Sequence, residues 1–163
     1  METMRGLERK LAPIERQMAA AGRENATYRH LITAPGYGPI LSSAMAAMVI
    51  DPGAFNRGSD FAASLGLVPR QDGTGGKLRL GPISKRGNGY LRRLLVNGAT
   101  AVLKSKQAKE DPWLAKLLAT KPRKLVSVAL ANKMARIGWA LMTRQEDFRG
   151  QRQDQLCPGR AVA

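Results

Sequence analysis

The residues best placed to do chemistry lie between Arg70 and Arg93, in RQDGTGGKLRLGPISKRGNGYLRR. This stretch sets Arg70, Lys77, Arg79, Lys85, Arg86, Arg92 and Arg93 against a single acid, Asp72, and interleaves them with glycines 73, 75, 76, 81, 87 and 89. Glycines let the backbone come close to a polyanion, and the cations neutralise it. Ser84 is the only serine here and is followed directly by Lys85 and Arg86. A hydroxyl among cations suits attack on phosphate, because the positive field lowers its pKa and stabilises a pentacoordinate phosphorane. Two plainer readings stand beside it: a solvated basic face on a loop, and a serine that caps the next helix.

A second constellation is the Gly36-Tyr37-Gly38 turn, bounded by Pro35 and Pro39. It resembles a helix-hairpin-helix element, in which a tight glycine bend presents N–H groups to a phosphate and the second helix offers its positive end. The Tyr37 hydroxyl would add a hydrogen bond. The alternative is an ordinary turn between two core helices. The twelve acids are scattered along the chain, so a two-metal phosphoryl-transfer site is not expected from this chain alone; Asp60 or Asp72 could lend one ligand to a shared site. One histidine, His30, and one cysteine, Cys157, exclude a Cys/His zinc site and a disulfide framework. His30 reads as a helix surface residue, and Trp113 and Trp139 read as core.

These groups need a scaffold, and 163 residues supply about one domain. At 44% hydrophobic and 24% charged, the chain is globular in composition and needs no disulfide to build a core. Its charge is the outlier: Lys plus Arg is 27 and Asp plus Glu is 12, a net +15. Such a surface draws polyanions, so nucleic acid is the leading partner. No stretch approaches the roughly 20 apolar residues of a membrane span, and METMRGLERKLAPIERQMAA has no apolar signal region. A cytoplasmic protein is expected, with no membrane partner.

The elements follow from periodicity and punctuation. Residues 1–33 read as helix, with Leu7, Leu11, Ile14 and Met18 forming a coiled-coil-like seam that Pro13 and Gly22 interrupt. A helix ending at Ala34, the glycine turn, and a helix opening at Pro39 come next. Residues 51–58 read as loop, and Ser59 or Asp60 as the cap of a short helix that Gly66 ends. Residues 67–80 read as a hairpin around a Gly-rich turn, with Lys77 and Arg79 on one face. Asn88 caps a helix from about Gly89 to Gln107, Pro112 and Pro122 start two more, and the last runs from about Arg123 to Arg144. From Gln145 onward the chain reads as a frayed tail. The expected fold is mainly α: a helix-hairpin-helix-like element plus a small basic β-hairpin on a helical bundle.

In order, PGYGPILSSAM, FAASLGLVPRQ, GGKLRLGPISKRGNGYLRRLLVNGA and VALANKMARIGWAL resemble the C-terminal transposase domain of the insertion sequence 110 family, which also includes Piv/MooV-type DNA invertases. The resemblance spans about residues 28–143. It implies the end of a coiled-coil linker helix at 1–27, a transposase C-terminal domain at 28–144 and a flexible basic tail at 145–163. It further implies DNA as substrate, a bridge RNA as guide in some members, and a homo-oligomer paired through the N-terminal helix. The family's other half is RNase H-like and carries four metal-binding acids. Nothing before residue 28 resembles that half, so Mg²⁺ is expected only with a domain absent from this sequence, and the chain reads as truncated and inactive alone. Carried onto this sequence, the nucleophilic serine of the ISKRG motif is Ser84. Where the family commonly has Ser-Gly-Gly this chain has Thr74-Gly75-Gly76, which makes Thr74 the second candidate. Arg70, Lys77, Arg79, Lys85 and Arg86 would contact phosphates around the nucleophile, with Arg92 and Arg93 following.

Overall fold

The computed structural model describes residues 2–74, 77–105 and 107–150; at 2–5, 7, 8, 72, 74, 77–79, 107 and 109 it describes backbone only. In chain order the elements are α1 (Glu2–Gly22), α2 (Ala26–Leu31), α3 (Pro39–Met48), one 3-10 turn (Pro52–Ala54), α4 (Gly58–Ser64), strands β1 (Pro69–Thr74) and β2 (Lys77–Ile83), α5 (Gly89–Lys104), α6 (Gln107–Glu110), α7 (Pro112–Thr120) and α8 (Arg123–Arg144). The fold is mainly helical with one small antiparallel sheet, as the sequence predicts.

Helix α8 is the centre. It buries Val126, Leu130, Ala131, Met134, Ala135, Gly138, Leu141 and Met142, a repeat of three and four residues that lays a broad stripe into the core. Helix α5 sets Leu91, Leu95, Ala99 and Leu103 against it, each four residues from the last and so on one face. Each buried leucine contributes about 1.5–3 kcal/mol relative to exposure. Helices α4 and α2 close two more sides of α8, and α1 lies along α3.

Local chemistry moves several boundaries. The helix expected over 1–33 breaks at Arg23–Asn25, because the Asn25 side chain accepts from Tyr28 N at 3.1 Å and caps a new helix. Gly22 makes room for the turn, since a Cβ there would lie 2.7 Å from the Tyr28 ring. Pro13 sits inside α1 without ending it. Neither Ser59 nor Asp60 caps α4; Arg57 takes that place and both lie within the helix. Helix α5 stops at Lys104 rather than Gln107, while α8 has the predicted ends. Trp113 is a further correction, being 37% exposed rather than core, with Lys133 Nζ 4.2 Å from its ring centroid. Trp139 is half-buried and donates to Pro52 O at 2.9 Å. After α8 the chain folds back: Phe148 N donates to Thr33 Oγ1 at 2.9 Å, and Asp147 pairs with His30 at 2.8 Å. Residues 151–163, including Cys157, lie outside the described residues.

The hairpin pairs Thr74 with Lys77, Asp72 with Arg79 and Pro69 with Ile83, with a bulge between Pro69 and Gln71. The two strands pack chiefly on each other, which makes the hairpin an arm on the helical body.

Candidate functional site

Ser84 is the first residue after β2. Its N–H donates to Val68 O at 2.9 Å and extends the ladder by one rung, and Lys85 N–H donates to Gly66 O at 3.2 Å. Lys85 then takes a left-handed φ of 56°, and Gly87 one of 78°. A left-handed conformation costs a side-chain-bearing residue roughly 1–2 kcal/mol, so the surroundings must enforce it at Lys85. They do so by close backbone packing. A Cβ on Gly66 would run into the backbone of Arg86, and one on Gly87 into the carbonyl of Ser64. The Ser-Lys-Arg-Gly loop therefore lies flat against the C-terminal end of α4.

Arg92 locks this arrangement. Its Nη1 donates to Leu65 O at 2.9 Å and to Arg86 O at 3.0 Å, joining the end of α4 to the loop. That nitrogen gives Arg92 a structural role beside the phosphate contact expected of it from the sequence. Arg70 Nη2 reaches Ser84 O at 3.4 Å. Asn88 is the helix cap, accepting from Tyr90 N at 3.0 Å and Leu91 N at 3.1 Å, so Ser84 does not cap α5. The Ser84 side chain is partly exposed and its hydroxyl makes no hydrogen bond among the described residues. Arg70, Lys85, Arg86 and Arg93 are exposed. The result is an uncommitted hydroxyl on a pinned backbone, with Arg70, Lys85 and Arg86 close by in the fold.

The other candidates lie apart or face elsewhere. Lys77 and Arg79 are on the hairpin arm, and Thr74 sits at its far end opposite Lys77; their side chains lie outside the described ones, as do Gly75 and Gly76 altogether. The Gly36-Tyr37-Gly38 turn points largely into the protein. Tyr37 is 4% exposed, and its hydroxyl donates to Met134 O at 2.9 Å, while burial pushes the phenol pKa well above its ordinary value. Gly36, with φ 81°, lies so close to α8 that a Cβ would meet Met134 Cε at 2.6 Å. Gly36 and Tyr37 therefore act as a wedge between α5 and α8, and the Tyr37 hydroxyl expected to meet a phosphate donates to Met134 O instead. Gly38 alone of the three is exposed, as the N-cap of α3.

Sequence reading missed the two glycines that admit this wedge. Gly98 in α5 is overlain by Gly36 O, and Gly138 in α8 by the Tyr37 hydroxyl. Their signal was present, because glycine inside a helix costs about 1 kcal/mol and needs a packing reason. No three of His, Cys, Asp and Glu come together among the described residues. No described helix is long and apolar enough to cross a membrane.

Comparison with known proteins places this chain in a family. The model of the transposase IS116/IS110/IS902 family matches residues 28–114, from α2 through the Ser84 loop to the start of α7. A probable family 20 transposase of Pseudomonas aeruginosa is 48% identical over 151 residues, covering 91% of this chain and 45% of the relative. A putative transposase y4pF/y4sB of Sinorhizobium fredii is 40% identical, over 89% of this chain and 38% of its own length. The transposase for insertion sequence element IS1111A of Coxiella burnetii is 41% identical, over 83% and 38%. The chain thus spans less than half the length of these relatives. With over half of its residues under the family model, including the whole Ser84 loop and its Arg92 clamp, the chain belongs to the IS116/IS110/IS902 transposase family.

Proposed function

We propose that this chain is the DNA-binding and strand-processing part of an insertion-sequence transposase, with Ser84 as the nucleophile. The observation that carries the reading is the Ser84 hydroxyl itself, free of hydrogen bonds among the described residues and fixed beside Lys85 and Arg86. In the reaction Ser84 Oγ attacks a backbone phosphorus. An Oγ–P bond forms as the phosphorus–sugar oxygen bond breaks; the serine proton leaves to solvent and the freed sugar oxygen takes one up. Lys85, Arg86 and Arg70 hold the phosphate oxygens and stabilise their developing charge. Metal-binding acids of the kind the family carries would be contributed by another domain.

DNA is the proposed partner, and a bridge RNA is a second nucleic acid that the same basic surface suits. Half-exposed Leu11 and Ile14 on α1 favour self-association through that helix. A binding module without chemistry is the second reading, favoured by the scattered carboxylates.

Trapping of a covalent protein–DNA adduct separates the two. With the chain fused to the intact N-terminal half of a relative, Ser84→Ala should abolish the adduct and Thr74→Ala should retain it. If neither substitution loses the adduct, the nucleophile assignment is wrong; if no adduct forms with the unaltered chain, the binding module stands.

A further inference from the structure

We propose that Tyr90 is a stacking platform for an unpaired nucleobase, so that the strand gripped beside Ser84 is unstacked at that point. The proposal rests on the nucleic-acid reading above. Tyr90 is the second residue of α5, four residues after Arg86, and is 43% exposed. The other two tyrosines, Tyr28 and Tyr37, are buried. Its position is fixed from below, because its N–H is held by Asn88 Oδ1 at 3.0 Å.

The contrast with Trp113 is informative. That ring is also exposed, but Lys133 covers its face at 4.2 Å, and Asp111 lies 3.9 Å from the same ammonium. Over Tyr90 the cation is Arg93, with Cζ 5.4 Å from the ring centroid and no carboxylate partner among the described residues. Met48, 45% exposed and with its sulfur 4.0 Å from Asn88 Nδ2, extends the apolar surface towards the cap. Lys85 and Arg86 are exposed on the adjoining loop.

An exposed aromatic ring carrying a guanidinium over one face, beside cations with no carboxylate partner among the described residues, is the chemistry of single-strand binding. Charge follows the backbone, and any base offers a face to lie on the ring. Arg93 supplies a second plane, since guanidinium stacks on π faces where an ammonium cannot. An intact duplex presents no such face unless a base is turned out of the stack.

The test is binding of the full chain to short single strands, poly-dT and poly-U, and to an abasic strand of equal length, at fixed salt. Tyr90→Ala should weaken binding to a base-bearing strand about 10-fold, the scale of one base–aromatic stack. Tyr90→Phe should bind like the unaltered chain. The unaltered chain should lose a similar factor on the abasic strand, whereas the alanine variant should lose none. Equal binding of the unaltered and alanine proteins to base-bearing strands overturns the stack and leaves the DNA reading intact. Failure of the unaltered chain to bind any of these strands overturns the stack, and failure to bind duplex DNA as well overturns the nucleic-acid reading with it.

Discussion

The guanidinium of Arg92 lies 3.0 Å from the carbonyl oxygen of Arg86, and the same nitrogen reaches Leu65 O at 2.9 Å. One side chain thus ties the Ser84 loop to the end of α4. Charged groups donating to carbonyls contribute about 1.5–3 kcal/mol. Arg92→Ala should lower stability to urea by that order, and Arg92→Lys should recover only part, because a single ammonium lacks the planar fork. Arg86→Ala should do the reverse, leaving stability within about 0.5 kcal/mol while weakening DNA binding. An Arg92→Ala protein of unaltered stability with weakened DNA binding would leave Arg92 with the phosphate contact alone.

The wedge between α5 and α8 makes a paired prediction. Gly138→Ala places a methyl on the Tyr37 hydroxyl, and overpacking of this kind costs about 1–3 kcal/mol. Tyr37→Phe alone loses the bond to Met134 O, about 1 kcal/mol. Combined, the two should cost less than their sum, because removing the hydroxyl relieves the clash. Additive denaturation free energies would contradict the contact.

Much of the helical frame was legible because punctuation and periodicity agreed. Asn88 before Gly89, Pro112 at a helix start and the apolar repeat of Arg123–Arg144 each stated a boundary that the fold keeps. Glycine 66 likewise marked the end of α4. What was not legible depended on partners distant in sequence. Tyr37 reads as an exposed turn residue until Gly138, a hundred residues on, opens a slot for it. Arg92 reads as one cation among many until Leu65 O is brought within reach, 27 residues away. The Ser84 loop was visible as a composition, serine among cations and glycines. Its rigidity was not, because the interlock of Gly66 with Arg86 and of Gly87 with Ser64 is tertiary.

Binding to DNA should be strongly salt-dependent. If about six phosphates are engaged, affinity falls roughly 10³-fold between 50 and 200 mM salt. Lys85→Ala and Arg86→Ala should each reduce the slope of log K against log salt by about 1, uniformly across sequences. An unchanged slope in both variants would place the phosphate contacts elsewhere.

Lys133 gives a pH signature of the α7–α8 contact. Burial lowers its pKa from 10.5, with Asp111 opposing that shift and Arg136 adding to it. Between the lowered value and 10.5 the unfolded chain binds more protons than the folded one, so this group makes stability rise with pH there. The gain is complete above 10.5 and is lost as pH falls through the folded value. Stability of Lys133→Gln should lack that rise when compared with the unaltered chain by urea titration across the alkaline range. Parallel curves would mean that Lys133 is solvated in the folded state.

The most direct test is to identify the amino acid that carries the DNA. The chain, joined to the N-terminal half of a relative, is reacted with element-end DNA, the adduct is digested with nuclease and protease, and the modified peptide is sequenced by tandem mass spectrometry. The account predicts a nucleotide remnant on the Ser84 hydroxyl, in the peptide containing Ile83 and Lys85. A remnant on Thr74, or on any residue outside the loop that Arg92 pins, contradicts it.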